Sequence, residues 1–155
     1  MKRWVVLFAV LSVLATAFIW GNSLRTVEQA DSMNKTVSNV VRPSVDPGKK
    51  VEDDTFRMLV SKAAHIVEFA ALGLCVAGLA ISLGKWKERS YVALPLFLVL
   101  SVAVVDEYIQ TFSGRTSAVT DILIDFTGAM LGFGLAALGL LLLRLANRLI
   151  KAKTS

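Results

Sequence analysis

The sequence is poor in the residues that build disulfide frameworks and soluble catalytic sites. Its 155 residues include one cysteine and one histidine. Because Cys75 has no partner, no internal disulfide can form, and its place in an apolar run indicates a small buried side chain. The chain has no Walker loop and no serine nucleophile motif. Those absences disfavour a P-loop nucleotide-binding protein and a serine hydrolase.

Apolar residues, by contrast, are in excess. They make up 55% of the chain, and its mean hydropathy is +0.62, whereas soluble domains are about 45–50% apolar. The excess falls in four blocks, at residues 4–20, 63–83, 91–110 and 121–143. Each block is close to the roughly 20 residues that a helix needs to cross a bilayer, and none alternates as a barrel strand would. The sequence therefore predicts an all-α, integral membrane four-helix bundle, as a single domain over residues 1–155.

The first block also has features of a secretory signal peptide. Lys2 and Arg3 precede it, and residues 15–17 (ATA) resemble a cleavage site. The apolar run nevertheless continues through Trp20, which makes it long enough to span the membrane. We predict that it is retained as a membrane anchor.

The lysines and arginines predict the orientation in the membrane. Nine of the 17 lie beside the blocks with a single acid, Glu88. They are Lys2, Arg3, Lys85, Lys87, Arg89, Arg144, Arg148, Lys151 and Lys153. Basic residues in short segments next to spans mark the cytoplasmic side, so both termini are predicted to be cytoplasmic in a multi-pass protein of the cell membrane. The net charge of +5 does not indicate a nucleic-acid-binding protein. These basic residues lie beside the spans and do not form a patch on a folded domain.

Residues 21–57 form the long outer loop of this topology. Apolar residues recur in it at helical spacing, at Val27, Ala30, Met33, Val37 and Val40. This pattern predicts an amphipathic helix on the outer leaflet, the alternative being a flexible connector. Pro43 and residues 46–48 are predicted to break that helix. The acids at residues 52–54 predict the start of another helix, which runs on into the second block.

Ionisable and amide side chains collect at the outer ends of the last three blocks. They are Lys62, His65 and Glu68 in the second block, Asp106, Glu107 and Gln110 in the third, Arg115 in the following link, and Asp121 and Asp125 in the fourth. A charge in hydrocarbon costs at least a few kcal/mol unless it is paired or hydrated. We therefore expect these side chains to point inward, into one polar pocket that opens to the outer face.

Two structural interpretations of this set stay open beside the functional one. Lys62 and Asp121, at the edges of their spans, could simply reach interfacial water. Alternatively, Lys62 and Arg115 could neutralise the carboxylates and hold the helices together. Gly128 and Gly132, four residues apart, predict a close helix contact, either within the chain or in an oligomer.

The three polar segments resemble motifs of the VanZ-like family of bacterial membrane proteins, and the resemblance covers most of the chain. Residues 62–73 (KAAHIVEFAALG) are similar to K-x-x-H-x-x-E-Y-x-x-L-G, residues 106–112 (DEYIQTF) to D-E-x-x-Q-x-F with a following G-R, and residues 121–128 (DILIDFTG) to D-x-x-x-N-x-x-G. Residues 20–23 (WGNS), with Ser32 downstream, are loosely similar to a serine-bearing stretch of the family. Phe69 stands where the family usually has tyrosine. Asp125 stands where it usually has asparagine, which adds a carboxylate.

The resemblance implies a role at the cell envelope. The family is named for a component linked to low-level resistance to teicoplanin, a lipid-bearing glycopeptide antibiotic. One hypothesis is therefore a binding protein that engages a membrane lipid, a lipid-linked envelope molecule or a lipoglycopeptide at the outer leaflet. Its substrate-binding residues would be Lys62, Gln110, Arg115, Asp121 and Asp125, with the bases on anionic groups.

The alternative hypothesis is an intramembrane hydrolase or transferase that acts on a lipid-linked substrate. Its catalytic residues would be His65, Glu68, Asp106 and Glu107, working as acid and base. In a metal-assisted version, a divalent ion would be held by His65, Glu68, Asp106 and Asp125. An ion pathway is disfavoured, because the ionisable residues occupy only one half of the spans.

Overall fold

The chain folds as a bundle of helices. The computed structural model describes residues 2–88, 91 and 93–153, and in these ranges it contains five α-helices and no strand. They are α1 (Lys2–Ser23), α2 (Val27–Val45), α3 (Asp53–Lys87), α4 (Ala93–Phe112) and α5 (Val119–Lys153). All but α2 are long and apolar enough to cross a membrane. The predicted all-α fold with four spans is confirmed, and Arg89, predicted in the basic link, lies outside the described residues.

The longest spans extend beyond the predicted apolar blocks. α3 and α5 have 35 residues each, which is about 52 Å at roughly 1.5 Å per residue. A bilayer core of about 30 Å cannot contain such a length. As the sequence predicted, α3 begins at the acidic residues Asp53 and Asp54 and continues without a break into the second span. α3 packs against each of the other four helices and is the centre of the bundle.

Glycines bring α3 and α5 into contact along their backbones. A Cβ on Gly128 would lie 2.6 Å from the carbonyl oxygen of Ile66, and one on Gly132 would overlap the backbone of Ala70. From the other side, a Cβ on Gly73 would overlap the backbone of Ala129. The close contact predicted at Gly128 and Gly132 is therefore made inside the chain. An oligomer through the same glycines stays a prediction.

The apolar core lies where α1, α3, α4 and α5 meet. It consists of Ile19, Phe69, Leu72, Val76, Val99, Ala103 and Ala129, all with at most 4% of their surface exposed. Around it, most other large apolar side chains of the spans face outward. Exposed apolar surface of this extent is expected where lipid surrounds a protein. Phe69, at the centre of this core, is fully buried.

α2 is the amphipathic helix predicted in the long loop. It starts with a capping box in which the Thr26 hydroxyl accepts from the Gln29 N–H and the Gln29 side chain accepts from the Thr26 N–H. The prediction that Pro43 breaks the helix is wrong, because the helix continues to Val45. A proline so close to the end removes only one helical hydrogen bond, and the last turn tolerates that loss.

The two faces of α2 point in different directions. Met33, Val37 and Val40 are exposed and form an apolar stripe. On another face, Asp31 and Lys35 line a cavity against the body of the protein. The helix therefore turns a polar face inward and leaves an apolar stripe free.

Arg42 fastens the end of α2 to the start of α3. Its guanidinium pairs with Asp46 at 3.3 Å and with Asp53, and it also donates to the carbonyl of Val51. It lies 4.8 Å from the ring centroid of Phe56, a cation–π distance. Because Asp53 and Phe56 belong to the first turn of α3, these contacts fix where α2 lies on the bundle.

The two ends of the bundle differ in chemistry. We call the end where α1 and α4 finish and α3 and α5 begin the polar end, and the opposite end the basic end. At the basic end the Lys2 ammonium lies 5.7 Å from the ring of Trp86, and Lys87 lies 4.3 Å from the same ring. Aromatic and basic side chains at this end are typical of a membrane interface.

Candidate functional site

Asp106 is the centre of a hydrogen-bond network at the polar end. The Ser23 hydroxyl donates to Asp106 Oδ1 at 2.7 Å, and the Gln110 amide donates to Oδ2 at 3.0 Å. Asp106 is fully buried. The Ser113 hydroxyl donates to the Ser23 carbonyl at 2.9 Å, so the network joins the ends of α1 and α4. The i, i+4 spacing of Asp106 and Gln110 brings the two side chains together, as the sequence predicted.

His65 approaches two buried carboxylates from α3. Its Nδ1 is 3.9 Å from Asp106 Oδ2 and 3.3 Å from Asp125 Oδ1. One ligand atom from each of the three residues lies within 4.8 Å of the others. Asp125 is 1% exposed, and neither of its oxygens accepts a hydrogen bond of good geometry. The structure thus brings together three of the four predicted metal-ligand residues.

Glu68, the fourth predicted ligand, turns away from this group toward α1. The Asn22 amide donates to Glu68 Oε1 at 2.7 Å. His65 and Glu68 are three residues apart on α3, yet one side chain faces α4 and α5 while the other faces α1. Glu68 therefore helps to hold α1 against α3.

The side chain of Glu107, from α4, reaches the start of α5. Its Oε2 accepts the N–H of Ala118 at 3.0 Å, immediately before the helix that begins at Val119. A carboxylate is favourable there because the first N–H groups of a helix are unpaired and carry partial positive charge. Its Oε1 is buried without a hydrogen-bond partner, and the residue borders the cavity described next.

A cavity of about 910 Å³ opens at the polar end. Its walls are α2, the first turns of α3, the end of α4, the α4–α5 link and the start of α5. The predicted site residues that line it are Lys62, His65, Glu107, Gln110, Arg115, Asp121 and Asp125. Glu68 and Asp106 lie behind this lining and belong to the network that supports it.

The basic side chains of the cavity fall into two kinds. Lys62 pairs with Asp121, and Arg57 pairs with Asp54. Arg115 and Lys35 also line the cavity. Arg115 makes no ion pair with any described residue, and the same holds for Lys35 within the described ranges. Of the two bases predicted to neutralise the carboxylates, only Lys62 does so.

A comparison with family models identifies the family of this chain. The model described as VanZ/LLP1 matches residues 8–143. The chain belongs to the VanZ/LLP1 family. The resemblance of its motifs is thereby confirmed, and the match contains all of the cavity and network residues named above. Searches of curated proteins and of solved structures find no match.

In this VanZ/LLP1 chain, sequence reasoning missed three polar residues of the network. Asn22 and Ser113 were not predicted as site residues, and Ser23 was noted only through its loose family resemblance. A signal for two of them was present. Asn22 and Ser23 follow the first apolar block and end α1, at the end of the bundle that holds the carboxylates of the other spans. A polar residue at that depth needs a partner inside the bundle.

Proposed function

We propose that this multi-pass VanZ/LLP1 protein binds the polar headgroup of a membrane lipid or lipid-linked envelope molecule in the cavity at its polar end. The observation that carries the proposal is the cavity itself, with its unpaired bases. It opens between α2 and the starts of α3 and α5, where span-length helices reach the membrane surface. Its lining carries carboxylates, bases, amides and hydroxyls, which suits a polar headgroup.

Arg115 and Lys35 give the cavity an affinity for an anionic group. A guanidinium binds phosphate or carboxylate oxygens with paired, charge-assisted hydrogen bonds, and an ammonium adds a point charge. The bases come from different walls, Lys35 from α2 and Arg115 from the α4–α5 link. A phosphate-bearing headgroup between them would satisfy both.

α2 would bring the membrane and the cavity together. Its apolar stripe of Met33, Val37 and Val40 is exposed, as in helices that lie in the membrane interface. With that stripe in the lipid, the polar face of the same helix borders the cavity. A lipid could then keep its acyl chains in the bilayer while its headgroup enters the site.

The proposal includes the orientation inferred from the positive-inside rule, with the polar end outside the cell and both termini in the cytoplasm. It can be tested with single cysteines in a Cys75→Ser background in intact cells. Ser44→Cys, at the end of α2, is expected to react with a membrane-impermeant maleimide. Lys85→Cys, at the basic end, is expected to react only after the membrane is broken. The reverse labelling pattern would contradict the outer-leaflet site.

Headgroup binding is tested by native mass spectrometry of the full chain released from membrane nanodiscs. We expect the wild type to retain a phosphate-bearing lipid. Because charge-assisted hydrogen bonds contribute about 1.5–3 kcal/mol, Arg115→Gln and Lys35→Gln are each expected to lower retention by roughly tenfold or more. Lys85→Gln makes the same change at the basic end and is expected to have no effect.

Equal lipid retention in all three variants would contradict a headgroup site in the cavity. Teicoplanin added as a competitor distinguishes the ligand class. If it displaces the retained lipid from the wild type but not from Arg115→Gln, lipoglycopeptides share the site.

A second candidate function, an enzyme that hydrolyses or transfers the same headgroup, is favoured by one observation. His65 and Asp125 line the cavity beside each other, and Asp125 has no hydrogen-bond partner. A histidine next to a buried carboxylate is a common acid–base arrangement. Turnover predicts that Asp125→Asn accumulates an intact lipid that the wild type converts. Identical lipids in both proteins would leave binding as the function.

A further inference from the structure

We propose that His65, Asp106 and Asp125 bind a divalent transition-metal ion of the zinc class, with an open coordination position facing the cavity. This inference does not depend on headgroup binding. It rests on different residues from those that carry the proposed function, and it makes a prediction for the protein alone.

The separations within the group suit a metal ion. Ligand atoms about 2.1 Å from a tetrahedral ion are roughly 3.4 Å apart. His65 Nδ1 lies 3.3 Å from Asp125 Oδ1 and 3.9 Å from Asp106 Oδ2. All three ligand atoms lie within 4.8 Å of one another. The two His65 separations are within about half an ångström of the tetrahedral value, and the two carboxylates would move closer together around a bound ion.

The state of Asp125 is the independent observation that points to a cation. Its carboxylate is 1% exposed, and apart from the His65 nitrogen at 3.3 Å its two oxygens have no hydrogen-bond partner. A buried carboxylate with so few donors is costly, because little around it compensates its charge. The second carboxylate, Asp106, lies near the same imidazole nitrogen, with its Oδ2 at 3.9 Å. A dication between them would neutralise both.

The surroundings of Asp106 resemble those of a ligand held in place. Its Oδ2, the oxygen nearer to His65, accepts a hydrogen bond from Gln110, and its Oδ1 accepts one from Ser23. Outer residues of this kind fix the orientation of metal-binding carboxylates. All three proposed ligands stand on helices of the bundle, α3, α4 and α5. Helices hold such a group more rigidly than loops do.

The donor atoms select the class of metal. One imidazole nitrogen and two carboxylate oxygens suit zinc, manganese or ferrous iron, whereas calcium and magnesium prefer oxygen alone. Three protein ligands leave at least one position for water or a substrate oxygen. Because His65 and Asp125 line the cavity and Asp106 lies behind them, that position faces the cavity.

The site is tested with the full chain purified in detergent and stripped of metal by a chelator. Calorimetric titration with Zn²⁺ alone, checked by elemental analysis after dialysis, is expected to give one ion per chain. Asp125→Asn keeps the size of the side chain and introduces the residue usual in the family at this position. It and His65→Gln are expected to weaken binding by at least roughly 100-fold. Asp121→Asn, which changes a cavity carboxylate outside the group, is expected to bind Zn²⁺ like the wild type.

Two results would overturn the proposal. One is a wild-type protein that binds no Zn²⁺. The other is equal Zn²⁺ binding by Asp125→Asn and the wild type. If a variant does not fold, the wild type loaded with Co²⁺ still tests the site. Co²⁺ held by a few nitrogen and oxygen ligands has a visible absorption spectrum different from that of the aqueous Co²⁺ ion. Headgroup binding by Arg115→Gln is measured separately, so the two proposals can fail independently.

Discussion

The polar end and the basic end of the bundle handle charge in opposite ways. At the polar end, Asp106, Glu107 and Asp125 are at most 2% exposed, and each has a polar neighbour from another part of the chain. At the basic end, Lys85, Lys87, Arg144 and Arg148 all lie exposed. An exposed base beside a membrane needs only water and lipid headgroups. A buried acid needs partners that the fold itself must supply.

The difference extends to packing. The glycines of α5 that touch the backbone of α3 lie in its first half, whereas Gly139, in its second half, has nothing near a would-be Cβ. Backbone contacts between α3 and α5 therefore concentrate in the half of the molecule that holds the cavity, while toward the basic end α3 packs at Gly78 against the Phe8 ring of α1. We expect substitutions at the α3–α5 contact to change stability, and matched substitutions of α5 toward the basic end to change it little.

The largest effect is expected from filling the α3–α5 contact. In Gly132→Leu the new side chain would collide with the backbone of Ala70 and approach that of Leu74, where a Cβ alone would lie 2.7 Å from the nitrogen. Overfilling a packed contact costs about 1–3 kcal/mol, and more when backbone must move. Thermal unfolding in detergent is expected to show a loss of at least about 3 kcal/mol or no folded protein.

Gly139→Leu is the matched control for this change. It places the same side chain on the same helix in open space, and its effect is expected to stay within about 0.5 kcal/mol. Equal losses of unfolding free energy in Gly132→Leu and Gly139→Leu would show that α5 packs equally closely along its whole length. The proposed difference in packing between the two halves of α5 would then be wrong.

An intermediate effect is expected from the network around Asp106. Ser23→Ala removes the hydroxyl that donates at 2.7 Å to a fully buried carboxylate. Leaving a buried charged group short of one hydrogen bond costs about 1–3 kcal/mol. Ser12→Ala is the control on the same helix, because the Ser12 hydroxyl donates only to the Phe8 carbonyl one turn earlier. Its cost is expected to be below about 0.5 kcal/mol in the same unfolding assay; a larger loss for Ser12→Ala than for Ser23→Ala would contradict the network.

The smallest effect is expected when the pH is lowered, and it concerns the stability of the junction between α2 and α3. Backbone N–H groups of Lys50 and Val51, together with Arg42, hold the pKa of Asp46 below its ordinary value of 3.8, the Lys50 bond contributing most. A lowered pKa stabilises the folded junction above pH 3.8, and this stability is lost as the pH falls through the folded value. Hydrogen exchange at about pH 5 and about pH 3 is expected to show α2 losing protection relative to α5.

Asp46→Asn separates this effect from general acid unfolding. The variant is expected to have a less protected α2 already at the higher pH and to change little on acidification. If α2 of the wild type keeps its protection at the lower pH, Asp46 does not hold the junction.

The sequence predicted the elements better than the contacts. The apolar blocks, the amphipathic α2 and the acidic start of α3 were all found, because helix length and amphipathicity are properties of neighbouring residues. The prediction for Pro43 was wrong, because a proline near the end of a helix costs less helix stability than one in the middle. The predicted cytoplasmic termini, the single domain and the roles of the site residues stay predictions.

Within the site, local spacing predicted some contacts and missed others. Asp106 and Gln110 were paired correctly because they lie one turn apart on one helix. Spacing alone put Lys62, His65 and Glu68 on a shared face, yet they meet α5, the pair α4 and α5, and α1 respectively. A face about one-third of a helix wide can contact several neighbours. Which neighbour each side chain reaches depends on how the helices are rotated.

By itself, the sequence determined that the chain has four helices able to cross a membrane and that the carboxylates of these spans gather toward one end, because hydrophobic length and helical rise are set along the chain. Only the tertiary structure decided which of those charges meet. Ser23 and Asp106 are 83 residues apart, and their contact depends on how closely α1, α3, α4 and α5 approach. The glycines of α5 bring its backbone against that of α3. In this packing Asp125 joins His65 and Asp106, Glu68 bonds to Asn22, and Arg115 lines the cavity without an ion pair to any described residue.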